Sequence, residues 1–207
     1  MELELATTAF VTLFVIIDPI GLAPMFVALT TGMNKHQRRV IAIRSCLIGF
    51  AVLAAFGIGG EFVLTKVGIG MPAFRISGGI LLFITAMEML FEKRSKRRGE
   101  SAEAEEHPDP SVFPLATPLI AGPGAMTTMI LLIGESSGEV ANQIMVFAVM
   151  GLVVVMVMLM FLAGNVIERV LGKTGTNVVT RLLGMFLAAL SVQFVLDGLR
   201  EYGFLGL

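Results

Sequence analysis

Residues 10–33 read FVTLFVIIDPIGLAPMFVALTTGM, an apolar run long enough to cross a bilayer but interrupted halfway by Asp18, Pro19, Gly21 and Pro24. Few folds accommodate that combination. A hydrocarbon core of ~30 Å takes ~20 helical residues, so a span from about residue 5 to residue 29 sets Asp18 near the midplane. Pro19 and Pro24 lack the amide proton that an unbroken helix uses, and Gly21 lets the backbone turn. A carboxylate at that depth costs ~2.5–3.5 kcal/mol on insertion scales and usually faces a cavity or a partner.

The pattern returns about a hundred residues later as VFPLATPLIAGPGAMTTMILLIGE, residues 112–135. Aligning Gly21 with Gly124 also aligns Ile17 with Ile120, and the two interruptions then fall at the same depth. The second copy reads Ala121-Gly122-Pro123-Gly124 and carries no acid before its final residue. Paired Gly/Pro-broken spans at corresponding places in two halves point to the binding site of a transporter.

The rest of the composition agrees with a membrane chain. Of the 207 residues 56% are hydrophobic and 15% charged, with a mean hydropathy of +0.87; soluble domains carry ~25% charged residues. The single cysteine, Cys46, excludes an intrachain disulfide and a thiolate metal cluster, and His36 and His107 fall in polar connectors. Residues 1–5 hold Glu2 and Glu4 and no basic residue, unlike a secretory signal peptide, so the first span is expected to stay in the mature protein. Trp is absent and Tyr202 is the only Tyr, so interfacial anchoring is left to Phe, Lys and Arg.

Six spans are expected, at about 5–30, 40–60, 71–91, 112–133, 140–166 and 178–199. The longest connector, residues 92–111, runs basic, then acidic, then Pro-containing, without apolar periodicity, and is expected to be mobile. Twelve of the fifteen Lys and Arg residues fall at the first, third and fifth connectors, leaving Lys66, Arg75 and Arg200 for the other side. The positive-inside rule then places those connectors, linker 92–111 included, in the cytoplasm of a plasma (inner) membrane protein, with both termini outside.

Three spans per half is an odd number, so the second half enters from the opposite side. A second correspondence supports the repeat: Arg75, Gly78 and Thr85 in the third span keep the spacing of Arg181, Gly184 and Ser191 in the sixth. The expected fold is an all-α membrane protein of six transmembrane helices. They form two inverted three-helix repeats, residues 1–91 and 112–207, joined by the charged linker, with the first and fourth helices broken.

Asp18-Pro19-Ile20-Gly21-Leu22-Ala23-Pro24, Pro118-Leu119-Ile120-Ala121-Gly122-Pro123-Gly124-Ala125 and the Arg-started third and sixth spans resemble the MarC family of bacterial and archaeal integral membrane proteins. The resemblance covers nearly the whole chain. Its SnatA-like members are described as transporters of small neutral amino acids such as glycine and alanine, while the family name is tied to multiple antibiotic resistance. The resemblance therefore implies a secondary transporter of small neutral amino acids working by alternating access, with a channel or an exporter of another small solute as the alternative.

A zwitterionic amino acid needs one site for its carboxylate and another for its ammonium. A half-helix that follows a break presents free amide protons and the positive end of its dipole. Gly122, Pro123 and Gly124, with Thr127 and Thr128 behind them, offer that to the carboxylate. Asp18 and the carbonyls freed around Pro19, Gly21 and Pro24 offer the counterpart for the ammonium. Thr85, Ser191 and Gln193 are candidate polar walls, and short side chains throughout favour a small substrate. Each residue also has a structural reading. Asp18 suits an N-cap of the second half-helix, the glycines suit close helix packing, and Thr85 and Ser191 suit bonds to their own helices. Gln193 suits interhelical bonding, and Arg75 and Arg181 suit interfacial anchoring.

No G-x-x-x-x-G-K-[ST] motif is present, so the driving force is expected from a gradient of substrate, proton or sodium, with Asp18 as the coupling residue. An intramembrane aspartyl enzyme needs two carboxylates in one site and a metalloenzyme needs clustered ligands. Asp18 stands alone at depth and both histidines are in connectors, so no enzyme, cofactor or metal is expected. The expected partners are the small-molecule substrate and the lipid bilayer, with no nucleic acid.

Overall fold

The computed structural model describes residues 2–91, 93, 109–136 and 139–203, and the side chains of all of these except Glu2, Glu168 and Lys173. Among them every regular element is a helix: α1 (Glu2–Ile17), α2 (Pro19–Leu29), α3 (Lys35–Val67), α4 (Met71–Leu90), α5 (Ser111–Ile120), α6 (Pro123–Glu135), α7 (Val140–Leu162) and α8 (Gly164–Glu201). Most of the charged connector 92–111, with Arg94, Lys96, Arg97 and Arg98, lies outside the described residues.

Five helical stretches are long and apolar enough to cross a membrane, and α5 with α6 makes a sixth as a pair bent by 55°. The two interruptions differ. At the first, a single residue breaks the helix. Asp18 takes the left-handed conformation (φ 58°, ψ 66°), yet its N–H donates to the Phe14 carbonyl at 2.9 Å and its own carbonyl accepts from Leu22 N–H at 3.0 Å. The chain therefore continues in nearly its old direction, and α1 with α2 still reads as one span, Leu3–Leu29. Pro24 sits inside α2 without ending it. At the second interruption Pro114 and Pro118 each follow an extended residue, Phe113 and Thr117, so α5 is wide and irregular. Ala121 and Gly122 then complete the bend.

The outer spans also depart from expectation at their ends. The second begins at Lys35, where Asn34 and Gln37 form a reciprocal capping box, and runs on to Val67. The fifth stops at Leu162, because Gly164 brings the chain against α2: a side chain there would meet Val27 Cγ2 at 2.7 Å. Helix α8 then runs from Gly164 with one kink at Gly172 (φ 59°), and its membrane-crossing stretch is Thr174–Glu201.

The broken spans occupy the centre. Of the apolar stretch in α1–α2, 56% is buried, against 28% to 33% for α3, α4, α7 and α8. Each broken span lies against the other half of the chain. Helix α3 packs on α5 and α6, with Gly49 against Ile120 and Gly57 against Met129. Helix α7 packs on α1 and α2, where Phe161 stacks on Phe26 at 4.4 Å between ring centroids. Helices α4 and α8 run antiparallel at backbone contact. A side chain at Gly198 would strike the Pro72 carbonyl, one at Gly79 that of Ser191, and one at Gly184 that of Ala86. Small residues that admit close backbone approach are the usual glue between helices in lipid. Outside, Leu47, Ile58, Phe62, Val166 and Phe186 are all more than half exposed. Apolar surface on that scale needs a lipid solvent, so the chain is an integral membrane protein that crosses the bilayer several times.

Candidate functional site

The first break builds itself from local chemistry. Asp18 caps α2, its Oδ1 accepting the Gly21 N–H at 3.0 Å, and any side chain at position 21 would overlap the carboxylate. Asp18 and Gly21 are thus one device, a carboxylate that neutralises the positive end of α2 and the residue that leaves room for it. The other oxygen, Oδ2, accepts from Thr180 Oγ1 on α8 at 3.2 Å. Asp18 is 1% exposed and Pro19 is buried beside it. A carboxylate has about four acceptor positions, so these two bonds leave it capacity for another donor.

The second break lacks such a cap. Helix α6 starts at Pro123 with no side-chain hydrogen bond at its N-terminus. Its first backbone bond is from Met126 N–H to the Gly122 carbonyl at 3.0 Å. Ahead of it, the N–H groups of Gly124 and Ala125 meet no acceptor among the described residues, although both residues are buried. Leaving a buried donor without a partner costs ~1–3 kcal/mol. Two buried hydroxyls are also unsatisfied: Thr128 Oγ1, one turn further along α6, and Thr12 Oγ1 on α1 have no hydrogen-bond partner among the described residues. Most helical hydroxyls elsewhere in the chain bond back to their own helix, as Thr30, Thr65 and Ser136 do.

The two breaks lie side by side. A side chain at Gly124 would meet Ile16 Cδ1 at 2.8 Å and Leu82 Cδ2 at 3.3 Å. Ile16 is two residues ahead of Asp18, Thr12 one turn before Ile16, and Thr128 one turn after Gly124. The uncapped amides and the Thr128 hydroxyl therefore belong to α6, while the capped carboxylate and the Thr12 hydroxyl belong to the first span, whose Ile16 lies against Gly124.

The remaining predicted residues are distributed unevenly. Thr127 is buried and turns its methyl group onto Gly78 of α4, where a side chain would come within 2.6 Å. Thr85 donates to Leu81 O at 3.0 Å and Ser191 to Ala188 O at 2.7 Å, so both hydroxyls are spent on their own helices. Gln193 is exposed and its Nε2 donates to Asp197 Oδ1 at 2.8 Å, on the same outward face of α8. The structure does not gather it with the breaks. Arg75, read as an interfacial anchor, has a side chain 14% exposed and ion-paired with Glu135 at 3.3 Å and Glu201 at 3.1 Å. Thr180 and Thr12 are the polar residues that sequence reasoning passed over. Thr180 carried a faint signal as the residue before Arg181, and Thr12 as the one hydroxyl within the apolar run ahead of Asp18.

Among the described residues no group of His, Cys, Asp and Glu is arranged to hold a metal ion.

Residues 3–202 match the family model described as MarC family integral membrane protein. A "UPF0056 membrane protein" of Archaeoglobus fulgidus is 39% identical over 196 residues, 93% of this chain and 91% of that protein. YvbG of Bacillus subtilis, also named a UPF0056 membrane protein, is 35% identical over 195 residues, 92% of each chain. The Escherichia coli protein named "UPF0056 inner membrane protein YhgN" is 34% identical over 202 residues, covering 94% of this chain and 96% of its own. No solved structure matches the chain. With residues 3–202 matching the family model and its relatives similar over almost their full length, this protein belongs to the MarC family of integral membrane proteins.

Proposed function

We propose that this protein is a secondary transporter of small neutral amino acids such as glycine and alanine, working by alternating access around the paired breaks. One observation carries the reading. Two matched half-helix starts lie side by side, and one has its own carboxylate while the other presents amides of buried residues that meet no acceptor among the described residues. The substrate carboxylate takes at Gly124, Ala125 and Thr128 the place that Asp18 takes at Gly21. Its ammonium faces the acceptor capacity remaining on Asp18. Ile16 and Leu82 close the space around Gly124, which suits a substrate with little or no side chain.

In this reading the halves form an inverted repeat, both termini are outside, and the membrane is the one that YhgN is named for. The driving force is a proton or sodium gradient, sensed at Asp18. The antiparallel contact of α4 with α8 gives the two halves a surface on which to rock.

Uptake of radiolabelled glycine and alanine into proteoliposomes tests the proposal, with and without proton and sodium gradients and with substrate preloaded. Saturable uptake with counterflow, lost in a folded Asp18→Asn variant, is the expected result. Absence of uptake and counterflow by folded protein under every gradient overturns the amino-acid assignment, and flux without saturation makes the protein a channel.

A further inference from the structure

The seam between α3 and α7, remote in character from the paired breaks, combines a cationic cavity with an apolar groove. The cavity, about 250 Å³, opens at the start of α3 and is lined by Lys35, Arg38 and Arg39 together with Phe26, Phe161 and Asn165. No acid lines it. Three cations within the first turn and a half of α3 sit at the positive end of that helix's dipole, where they are unfavourable unless an anion joins them. An orientation signal needs only charge near the membrane surface, without convergence on one space. Here Arg38 is held in place: Nη1 and Nη2 donate to Asn165 Oδ1 at 3.2 and 3.3 Å, and its guanidinium lies 5.7 Å over the Phe26 ring. Lys35 and Arg39 make no ion pair among the described residues.

A separate apolar groove lies further along α3 and α7. Helices α3 and α7 run antiparallel, since Phe50 lies against Gly151 and Gly57 against Phe147. One turn beyond Arg39 and Leu162, the lining becomes Ile43, Leu47 and Phe50 on one side and Met158 and Gly151 on the other. The groove holds about 410 Å³ and exposes almost no polar atom. Gly151 leaves it open at the far end, where the only neighbour within 4 Å of an added side chain is the Phe50 ring.

We propose that this seam is a phospholipid site. The phosphate of an anionic headgroup sits among Lys35, Arg38 and Arg39, and one acyl chain lies along the groove past Leu47, Phe50 and Met158 to Gly151. Basic pockets between transmembrane helices take anionic headgroups, and an apolar groove beginning one helical turn away selects a lipid over a free phosphate, which has no use for it. Through Phe26 and Phe161 the headgroup rests on α2, the half-helix that Asp18 caps.

Native mass spectrometry on the detergent-purified full chain tests this, with the temperature of half-unfolding as a second readout. The probes are phosphatidylglycerol, phosphatidylcholine and soluble glycerol phosphate, added separately. The unaltered protein is expected to retain and be stabilised by phosphatidylglycerol far more than by phosphatidylcholine, and to ignore glycerol phosphate. The double variant Lys35→Gln, Arg39→Gln changes only exposed side chains and should weaken phosphatidylglycerol binding about 30-fold, since each cation contributes about fivefold. Gly151→Leu fills the groove and should weaken the lipid while the cations remain. Equal retention of both lipids, or undiminished phosphatidylglycerol binding by the double variant, overturns the site. Glycerol phosphate binding as tight as the lipid's makes it a soluble-anion site and overturns the lipid assignment.

Discussion

The hydroxyl of Thr180 donates to the carboxylate of Asp18 at 3.2 Å, joining residues 162 positions apart in the chain. It ties the break in the first span to the start of the sixth, inside the protein, where both residues are at most 5% exposed. Hydrogen bonds between membrane helices contribute ~0.6 kcal/mol on average and up to ~1.7, with charged acceptors at the upper end. Thr180→Val should therefore lower stability in detergent by about 1–2 kcal/mol, while Thr180→Ser stays near the unaltered protein. Reversible unfolding in mixed micelles measures both. A loss for Ser with none for Val would show that the methyl group, not the hydroxyl, matters.

Gly21 is required by its neighbour rather than by its own backbone angles. A methyl group there overlaps the Asp18 carboxylate, so Gly21→Ala should cost about 1–3 kcal/mol, the usual range for overpacking. Gly59 makes the control, because a side chain there meets nothing within 4 Å. Gly59→Ala should be neutral or stabilise by up to about 1 kcal/mol through helix propensity. Comparing Gly21→Ala alone with Gly21→Ala in an Asp18→Gly background, which removes the side chain and suits the positive φ, shows whether the clash is with the side chain at 18.

Arg75 holds two carboxylates that differ in exposure, Glu135 at 27% and Glu201 at 44%, each on a different helix. Solvent screens the Glu201 pair more strongly, and exposed pairs rarely exceed ~1 kcal/mol. A double-mutant cycle should thus give a larger coupling for Arg75 with Glu135 than for Arg75 with Glu201. The reverse order would mean that the two carboxylates exchange places around the guanidinium.

At the entry to α5, Asp109 is held below the usual carboxylate range. The hydrogen bond from the Ser111 hydroxyl is the main cause, followed by that from the Ser111 backbone N–H, and Arg44 adds a smaller attraction. A carboxylate with a lowered folded pKa stabilises the fold above its unfolded value of ~3.9 and loses that contribution as pH falls through the lower folded value. The stability difference between the unaltered protein and Asp109→Asn should accordingly be constant from pH 7 to about 5. It should shrink below pH 4. Melting curves in detergent across that range measure it, and a difference that grows on acidification contradicts the assignment.

Much of the architecture was legible because it depends on local properties. Apolar length marked the membrane-crossing stretches, and Pro and Gly marked the breaks. What periodicity could not convey was that the breaks differ: Asp18 mends the first with its own backbone and side-chain bonds, whereas the second is bent by 55° where Ala121 and Gly122 separate α5 from α6. Span ends were blurred for a similar reason, since the polar turn of α3 at Lys35 is still helix under its capping box.

Hydropathy, backbone breakers and the paired motifs by themselves determined that this is a helical MarC family membrane protein with two interrupted central spans. Those features act through a residue's own chemistry or that of its near neighbours. Only the tertiary structure decided that Thr180 meets Asp18, that Gln193 turns outward, that Gly124 packs on Ile16, and that Gly124 and Ala125 meet no acceptor among the described residues. Helix rotation and the choice of packing partner settle such matters. Both are set by the fit of small residues such as Gly78, Gly79 and Gly124 against helices far away in the chain.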